Sequence, residues 1–465
     1  MKVRVLVNGV LTEKEYSSPV SVFDVLASCG AGDLAPCGGK GICGGCRVHI
    51  EGEYEPFSQT GDVLACRTRV TGNSYIIYNT SRGKIQVLSA NDMPQIANAE
   101  DNCEYCALDI GTTTLAAAVY DGKSGRMIAS FGEENPQTAH GADVISRLQY
   151  SASGGARTLK DEINSSVAPL LRGRKCVVTG NTAMMCLYRG LDVSGMLVHP
   201  FVPPSLFGYE EDNVYYAPCA SAFFGADAVC AAAHCIKEGE ISIVADIGTN
   251  GEIACFDGKD IYCLSAPAGP CFEGGGVTCG MPALDGAVRG VKANGTNAEY
   301  DVIGGGEIRG ICGTGIAEIM AFLLGQKKLS AKGFLPQTFY VTENVRVTQE
   351  DVREVLLAKA AIRAGIETLL DISDTRGKIQ KIYLAGGFGS ALSPRTAAAL
   401  GIIPPEYGSL CVPAGNAALY GAIRALCDIP FRKKLENVAS SCRCIEPAND
   451  KRFADHFINS MYFGG

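Results

Sequence analysis

The sequence ALDIGTTTLAAAVYD at residues 107–121 recurs as IVADIGTNGEIACFD at residues 243–257. Each copy reads as an apolar strand, then Asp-Ile-Gly-Thr, then a second strand with a turn at Asp-Gly. The aspartates of the two copies, Asp109 and Asp246, lie 137 residues apart. A single Asp-x-Gly-Thr turn is a weak signal. Two copies, each after a hydrophobic strand, predict an internal duplication that builds two similar lobes with a cleft between them.

The repeated turn is suited to binding a phosphate group and a metal ion. The glycine of each copy permits a close backbone approach, and the N–H groups after it can point at phosphate oxygens. Asp109 and Asp246 would face each other across the cleft and hold Mg²⁺ through water, because magnesium dehydrates reluctantly. They are the candidate catalytic residues; a purely structural duplication is the alternative. The candidate phosphate-binding residues are Gly111, Thr112, Thr113, Gly248, Thr249 and Asn250.

Two further glycine-rich segments indicate a nucleotide. KIYLAGGFGS at residues 381–390 is a strand that runs into Gly386 and Gly387, where a ligand's adenosine could approach the backbone. GICGTG at residues 310–315 places Gly313 at the start of a predicted helix that borders the cleft. Each segment alone could be an ordinary strand–helix turn. Together with the two phosphate-binding turns they favour ATP.

A cysteine pattern near the start of the chain predicts a second kind of site. Cys37, Cys43 and Cys46 lie in PCGGKGICGGC, and Cys66 follows in LAC, with intervals of five, two and nineteen residues. This is close to the C-x4-C-x2-C…C spacing of ferredoxin-type [2Fe–2S] clusters. The glycines let the loop curl tightly and aim N–H groups at sulfur. A structural zinc site, or reduced core cysteines, are the alternatives.

Length and composition limit the class of protein. The 465 residues suggest about three domains, and the net charge of −8 without a basic stripe argues against a nucleic-acid partner. The start, MKVRVLVNGV, alternates like a strand rather than a signal peptide, and no apolar run is long enough for a membrane span. The 21 cysteines therefore read as reduced thiols and metal ligands of a cytoplasmic protein.

These patterns predict an α/β protein with an N-terminal β-grasp, ferredoxin-like domain followed by a duplicated, two-lobed, nucleotide-binding unit that resembles an actin-like ATPase. In the first domain Ser21 is expected to cap a short helix. The predicted units are the cluster domain at residues 1–89, a linker at 90–105, the first ATPase lobe at 106–240, and the second lobe with a C-terminal segment at 241–465.

The order of two phosphate turns and an adenosine loop resembles the actin–sugar kinase–Hsp70 superfamily of ATPases. Further segments resemble a narrower family, the reductive activators of corrinoid proteins, which join a [2Fe–2S] ferredoxin domain to such an ATPase. The segments are NPQTAHGADVISRL at 135–148, GNTAM at 180–184, AGPCFEGG at 268–275, GICGTG, AKAAIRAGI at 358–366 and LAGGFGS. The resemblance covers nearly the whole chain.

The resemblance implies an ATP- and Mg²⁺-dependent activator that passes an electron from the cluster to the Co(II) corrinoid of a methyltransferase- or O-demethylase-system protein, restoring Co(I). It also implies an electron donor, and a homodimer fits it. The chain departs from the family in lacking an extra module that longer members carry after the cluster domain. Cys186 and Cys271 also stand where histidine and alanine are more usual.

Several points stay open at the level of sequence. The same parts could serve an activator of another radical or low-potential enzyme, such as a dehydratase, or a nucleotide-gated redox sensor. Glu273 could polarise the attacking water or cap a loop. Two more cysteine pairs could share a second metal site, although a linker pair and alternate strand residues are the simpler interpretation; the cysteines are Cys103, Cys106, Cys442 and Cys444.

Overall fold

The structure is a computed structural model of the chain, and it describes residues 1–7, 10–29, 46–55, 61–78, 94–96, 103–141, 143–294 and 297–464. Two of the predicted cluster ligands, Cys37 and Cys43, lie outside these ranges, and so do the glycines between them. None of the helices within them combines the length and the apolar composition that a membrane-spanning segment needs.

The N-terminal sheet has the strand order β2-β1-β6-β4-β5, with β3 paired to β6. Its first strand runs parallel to β6, while β4 is antiparallel to both β5 and β6. Ser21 caps the helix that follows it by accepting a hydrogen bond from the Phe23 N–H at 3.2 Å, as the sequence predicts. The elements are β1 (Lys2–Val7), β2 (Val10–Glu15), β3 (Val20–Ser21), α1 (Val22–Ser28), β4 (Arg47–Glu55), β5 (Gly61–Leu64) and β6 (Arg69–Tyr78).

The second sheet has the order β11-β12-β10-β7-β8-β9. Its central strand β7 is buried along most of its length, which explains the unbroken apolar run before Asp109. The elements are β7 (Glu104–Ile110), β8 (Thr114–Asp121), β9 (Met127–Glu134), α2 (Val144–Tyr150), α3 (Ala156–Leu171), β10 (Lys175–Gly180), α4 (Thr182–Arg189), β11 (Tyr209–Glu211), β12 (Val214–Tyr216) and α5 (Ala226–Cys235).

The third sheet has the order β22-β21-β13-β14-β15-β23, and two smaller sheets accompany it. The elements are β13 (Ser242–Ile247), β14 (Gly251–Phe256), β15 (Ile261–Ala266), β16 (Ala287–Asn294), β17 (Asn297–Val302), β18 (Gly310–Ile311), α6 (Gly313–Gly325), β19 (Phe339–Tyr340), β20 (Arg346–Val347), α7 (Gln349–Ile372), β21 (Lys381–Ala385), α8 (Gly386–Ala391), α9 (Pro394–Leu400), β22 (Cys411–Gly415), α10 (Ala417–Ala425), α11 (Ile429–Ser441), β23 (Cys442–Cys444) and α12 (Lys451–Asn459).

The second and third sheets share a plan. In each, three successive strands form an antiparallel meander, β7-β8-β9 and β13-β14-β15. The first strand of each meander then pairs in parallel with a later strand, β10 or β21, which pairs in parallel with β12 or β22. Because β7 and β13 occupy equivalent central places, their carboxyl ends carry Asp109 and Asp246 to equivalent positions.

Helices α5 and α10 form the layer between these two sheets. Helix α5 contacts β10 on one side and β13 on the other, and α10 packs on α5, β7 and β10. The approach of the two helices is close, since a Cβ added at Gly421 would collide with the Cys230 carbonyl group. Helix α11 also packs on α5. The last part of the chain therefore completes the core around residues 105–235.

Candidate functional site

The two Asp-Ile-Gly-Thr turns are tight hairpin loops closed by a backbone hydrogen bond. In the first, the Gly111 N–H donates to the Thr114 carbonyl oxygen at 3.0 Å. In the second, the Gly248 N–H donates to the Asn250 carbonyl oxygen at 2.9 Å. The first loop is one residue longer, because Ile110 pairs with Leu115 whereas Ile247 pairs with Gly251. Both loops follow a strand that ends just after its aspartate.

One carboxylate oxygen joins the two loops. Glu273, at the end of the short turn Pro270–Glu273, accepts hydrogen bonds at Oε2 from Thr113 Oγ1 at 2.8 Å and from Thr249 Oγ1 at 3.0 Å. Thr249 is the threonine of the second Asp-Ile-Gly-Thr turn, whereas Thr113 directly follows the threonine of the first. The sequence leaves Glu273 open between a water-polarising and a capping role. In the structure its carboxylate bridges the two loops.

Four carboxyl groups lie beside these loops, and each interacts electrostatically with at least two of the others. Two of them are Asp109 and Asp246. The others are Asp227, at the start of α5, and Glu252, which lies opposite Asp246 on β14. Ser265 Oγ donates to Glu252 Oε1 at 3.0 Å. Asp109 Oδ1 is buried and has no hydrogen-bond partner among the described residues. Such an orphaned, buried oxygen fits a cation held directly or through water.

Burial raises the pKa of each of these four carboxyl groups. The pKa of Asp246 rises to about 7 through burial and through repulsion from Asp227 and Glu273. Burial raises the pKa of Asp227 to about 6. The pKa values of Asp109 and Glu252 lie well above their ordinary range through burial and through repulsion from Asp227 and Asp246. A divalent cation beside them would favour the charged forms.

The pKa of Asp246 leads to a prediction for the metal-free protein. Between about pH 4 and pH 7 the folded state holds a proton that the unfolded state has lost, so this contribution to stability is complete at low pH and is lost as the pH rises through about 7. Asparagine cannot titrate. Relative to the wild type, Asp246→Asn should therefore gain about 2–4 kcal/mol of unfolding free energy between pH 5 and pH 8.

Urea unfolding of both proteins across this pH range, with a chelator present, measures the difference. Added Mg²⁺ should shrink it at pH 8, since the cation stabilises the ionised wild-type site. A stability difference that does not change with pH would show that Asp246 titrates near its ordinary pKa.

Glycine is required beside the aspartates. Gly386 has a φ of +81°, and a Cβ there would collide with Asp246 Oδ1. A Cβ at Gly225 would lie 2.6 Å from Asp227 Oδ1. Gly387, in contrast, faces open space, with no atom within 4 Å of its added Cβ among the described residues. Gly386 is thus constrained by the protein itself, while Gly387 leaves room for a ligand.

The glycine-rich segments predicted to border the cleft meet around Phe272. Its ring stacks on that of Phe388 in α8, with centroids 4.1 Å apart. Gly313 begins α6 directly against it, and a Cβ there would collide with the Phe272 carbonyl oxygen. The turn that carries Glu273 therefore also touches both helices whose amino ends were predicted to approach the nucleotide.

Two asparagines support the first loop. Neither was among the residues predicted to form the site. Asn181 Nδ2 donates to Thr112 Oγ1 at 2.9 Å, and Asn135 Nδ2 donates to the Gly111 carbonyl oxygen at 2.8 Å. Asn135 is fully buried. Both cap helical turns, so the available signal was an asparagine directly after a strand. Asp227 and Glu252 had no comparable signal in the sequence.

Two of the four predicted cluster ligands lie together at the described edge of the N-terminal sheet. Cys46 is buried, Cys66 is half-buried, and their Sγ atoms are 3.2 Å apart. The Cys66 N–H also points at Cys46 Sγ, at 3.4 Å. Within the described ranges no group of three or more metal-binding side chains is assembled. Cys37 and Cys43 are outside those ranges, and the two thiols present fit a shared thiolate site.

The two remaining cysteine pairs, Cys103/Cys106 and Cys442/Cys444, do not meet in the structure. Cys106 lies opposite Cys176 on neighbouring strands of the second sheet, and Cys444 lies opposite Cys263 at the edge of the third. For the part of the chain that the structure describes, the second metal site considered for Cys103, Cys106, Cys442 and Cys444 is not formed.

Comparison with known proteins identifies two consecutive family regions. Residues 105–236 match the region described as the RACo middle region, and residues 240–465 match the C-terminal domain of RACo, the ASKHA domain. Together they cover nearly the whole chain from residue 105 onward.

Individual relatives agree with this match. The corrinoid activation enzyme RamQ of Eubacterium limosum is 25% identical over 591 aligned residues, covering 99% of each chain. That alignment exceeds the 465 residues of this chain, so the relative has residues without a counterpart here. A Co(II) methylated-amine-specific corrinoid protein reductase of Methanosarcina barkeri is 24% identical over 371 residues, covering 67% of this chain and 68% of the relative.

A solved structure shows the same fold over the full length. The reductive activator for corrinoid, iron-sulfur protein superposes with a TM-score of 0.70 at 23% identity, covering 99% of this chain and 98% of that chain. The motifs, the two-loop site and the matched regions lead to one conclusion. This chain belongs to the family of reductive activators of corrinoid proteins.

Proposed function

We propose that this protein is an ATP-dependent reductive activator that transfers an electron from a [2Fe–2S] cluster to the Co(II) corrinoid of a methyltransferase-system protein and so restores Co(I). The observation that carries the proposal is the Cys46–Cys66 thiol pair at 3.2 Å, because it supplies half of a ferredoxin-type ligand set in the same chain as a two-loop carboxylate site. The family membership supports the corrinoid partner.

The proposed domain organisation follows the sequence. Residues 1–89 form a β-grasp, ferredoxin-like domain, supported by the parallel pairing of β1 with β6 at the centre of the sheet. Residues 90–105 link it to two ATPase lobes, 106–240 and 241–465. The shared strand plan of the second and third sheets supports an origin by duplication. The packing of α10 and α11 on α5 ties the two lobes together.

The proposed cluster ligands are Cys37, Cys43, Cys46 and Cys66. A bound [2Fe–2S] cluster supplies a one-electron carrier at low potential. The protein's own contribution is to hold thiolates together in a partly buried place, and to direct the Cys66 N–H at Cys46 Sγ. Such donors and the exclusion of water tune the potential of a thiolate site. An external electron donor is required, and the cytoplasm keeps the ligand thiols reduced.

The nucleotide site is proposed to work through charge. The loop N–H groups and the threonine hydroxyls bind phosphate oxygens, and Asp109 and Asp246 hold Mg²⁺ through water, which offsets the phosphate charge. Asp227 and Glu252 add negative charge close to the metal position. Because Glu273 bonds both loops, a change in their separation breaks or makes its hydrogen bonds. Glu273 therefore couples the loops' spacing to the bound nucleotide.

ATP is needed because the cobalt reduction is uphill. Thirty millivolts correspond to about 0.7 kcal/mol for one electron, so a gap of a few hundred millivolts opposes the transfer by several kcal/mol. A ligand shifts a conformational equilibrium only by its difference in affinity for the two states. Closure of the two lobes on Mg-ATP is proposed to change how the corrinoid protein docks, which makes the electron transfer effectively one-way.

The bridge at Glu273 gives a prediction. Glu273→Ala should weaken Mg-ATP binding by about tenfold or more, because a hydrogen bond to a charged acceptor contributes about 1.5–3 kcal/mol and both loops lose theirs. Isothermal titration calorimetry measures the affinity. Glu343→Ala, on an exposed loop, is the matched control and should bind as the wild type does. Equal affinity in both variants would remove Glu273 from the site.

The proposed function is tested with a Co(II) corrinoid protein, this protein and a reductant, mixed anaerobically with and without Mg-ATP. The visible spectrum should show the Co(I) band only when Mg-ATP is present. A Co(I) band that forms equally without ATP would contradict the coupling. Failure to form Co(I), despite a reduced cluster and active ATP turnover, would favour an activator of another low-potential enzyme or a nucleotide-gated sensor.

A further inference from the structure

Three cysteines lie on one face at the edge of the third sheet. Strand β23 runs parallel to β15, with Cys442 opposite Ile261 and Cys444 opposite Cys263. Directly opposed residues share a face, and so do residues two apart on one strand. The Sγ atoms of Cys263 and Cys444 are 3.3 Å apart. Cys263 is fully buried, whereas Cys444 is exposed to solvent.

The two thiols differ in acidity as well as in exposure. The pKa of Cys444 is lowered, first because the Cys263 thiol donates a hydrogen bond to it, with Ser221 as a further donor. Burial raises the pKa of Cys263, and the nearby sulfurs of Cys442 and Cys444 raise it further. Of the two residues, the one exposed to solvent therefore also carries the thiol that ionises first. Thiolate character together with access is what makes a cysteine reactive in disulfide exchange.

We propose that Cys444 and Cys263 form a reversible thiol–disulfide switch, in which Cys444 is the attacking thiol and Cys263 the resolving one. The Cys444 thiolate attacks a low-molecular-weight disulfide, forms a mixed disulfide and releases one thiolate. Cys263 then gives up its proton and attacks the Cys444 sulfur, which expels the second small thiol. The Cys263–Cys444 bond forms, the two protein thiols are oxidised, and the small disulfide is reduced to two thiols.

The backbone is already placed for this bond. Neighbouring strands are about 4.8 Å apart, which lies within the 4.4–6.8 Å that disulfides need between Cα atoms. The two sulfurs lie 3.3 Å apart, so forming the bond brings them about 1.2 Å closer. A metal site is the other chemistry that three thiols suggest. No metal-binding group is assembled anywhere in the described ranges, these thiols included, so the geometry favours redox chemistry.

The location gives the bond a structural consequence. Strand β23 connects α11 to α12. Helix α11 is tied to α5 by Lys434, whose Nζ donates to the carbonyl oxygens of Ala233 at 2.6 Å and Ile236 at 2.9 Å. Helix α12 packs on α7, where His456 Nε2 lies 2.8 Å from Asp371 Oδ2. A disulfide would fix β23, the strand between α11 and α12, to the third sheet.

The chain contains its own matched control. Cys106 and Cys176 also lie opposite each other on parallel neighbours, β7 and β10, and their thiols interact in the same way. Both are buried, so a dissolved disulfide cannot reach either sulfur. If strand register alone decided reactivity, both pairs would oxidise. If exposure of the attacking sulfur decides it, only the Cys263–Cys444 pair will.

The test exposes the full-length, cluster-loaded protein to oxidised glutathione, then alkylates the remaining thiols after denaturation and maps the peptides by mass spectrometry. The expected product is a Cys263–Cys444 peptide that a dithiol reductant reverses, with Cys106 and Cys176 alkylated. Thermal unfolding should shift upward by a few degrees on oxidation of the wild type and not of Cys444→Ser. Bonds at Cys46 and Cys66 appear on separate peptides and are scored separately.

Three variants make the assignment falsifiable. Cys263→Ser should accumulate glutathione on Cys444, because the resolving thiol is missing, while Cys444→Ser should give neither product. Cys442→Ser, on the same strand and face, should form the Cys263–Cys444 bond as the wild type does. A Cys263–Cys442 bond, oxidation of Cys106 and Cys176 at the same rate, or an unreacted Cys444 in the wild type would each overturn the proposal.

Discussion

Replacing Asp246 by asparagine is expected to lower Mg-ATP hydrolysis by about 10²- to 10³-fold and to abolish ATP-dependent Co(I) formation. Asp246 lies among several groups of the site: Asp227 and Glu273 repel it, Glu252 lies opposite it on the neighbouring strand, and Gly386 lies directly against its Oδ1. Removing its charge removes a proposed anchor of the metal that offsets phosphate charge. Phosphate release and the Co(I) band measure the two losses.

The cluster of the Asp246→Asn protein should keep its visible spectrum, which separates this effect from damage to the N-terminal domain. Asp374→Asn is the matched control, since the Asp374 side chain is 96% exposed and pairs only with Lys378 among the ion pairs of the described residues. Wild-type rates are expected for it. Undiminished Co(I) formation by Asp246→Asn would contradict coupling through this site, even if hydrolysis fell.

Replacing Cys66 by serine is expected to abolish cobalt reduction and to remove most of the bound iron and inorganic sulfide. Cys66 Sγ lies 3.2 Å from Cys46 Sγ, and its backbone N–H points at the same sulfur, so serine would remove the proposed ligand sulfur and leave the backbone donor in place. Serine is a poor substitute because iron–sulfur clusters are held by thiolates. Iron and sulfide analysis, the visible spectrum and the Co(I) assay measure the effect.

Cys29→Ser is the control for this variant. Cys29 ends α1 in the same domain, is half-buried against the same core, and has no place in the predicted ligand spacing. It should retain iron, sulfide and activity. Mg-ATP hydrolysis should survive in both variants, because the carboxylate site is built from residues after 105. Full iron content in Cys66→Ser would contradict the proposed ligand set.

The sequence could place the repeated turns because their information is local. A hydrophobic run followed by Asp-Ile-Gly-Thr specifies a strand and a tight loop wherever it occurs, and two copies imply equivalent strands. Asp109 and Asp246 are accordingly the penultimate residues of β7 and β13, which each begin the antiparallel meander of their sheet. The Ser21 cap and the helix that begins at Gly313 were accessible in the same way. The catalytic roles of Asp109 and Asp246 are predictions.

The residues that contact those turns could not be located in the same way, because they come from distant parts of the chain. Glu273 lies 160 residues from Thr113, and Asn181 lies 69 residues from Thr112. Asp227 reaches the other carboxylates only because α5 lies between two sheets. Asp227 and Glu252 carry no local pattern that marks them, and the contacts of Glu273 and Asn181 with the loops depend on how sheets and helices pack rather than on what surrounds these residues in the chain.

The sequence by itself determined the family, the α/β character of the chain and the spacing of the cluster cysteines, because each rests on short-range patterns that a single segment carries. Only the tertiary structure decided which carboxyl groups repel one another. It also decided that Glu273 accepts hydrogen bonds from both loops and that the Cys263 and Cys444 thiols are in contact. The physical reason is that burial and charge repulsion depend on separation in space. Strands 181 residues apart in sequence become neighbours only after the sheet has formed.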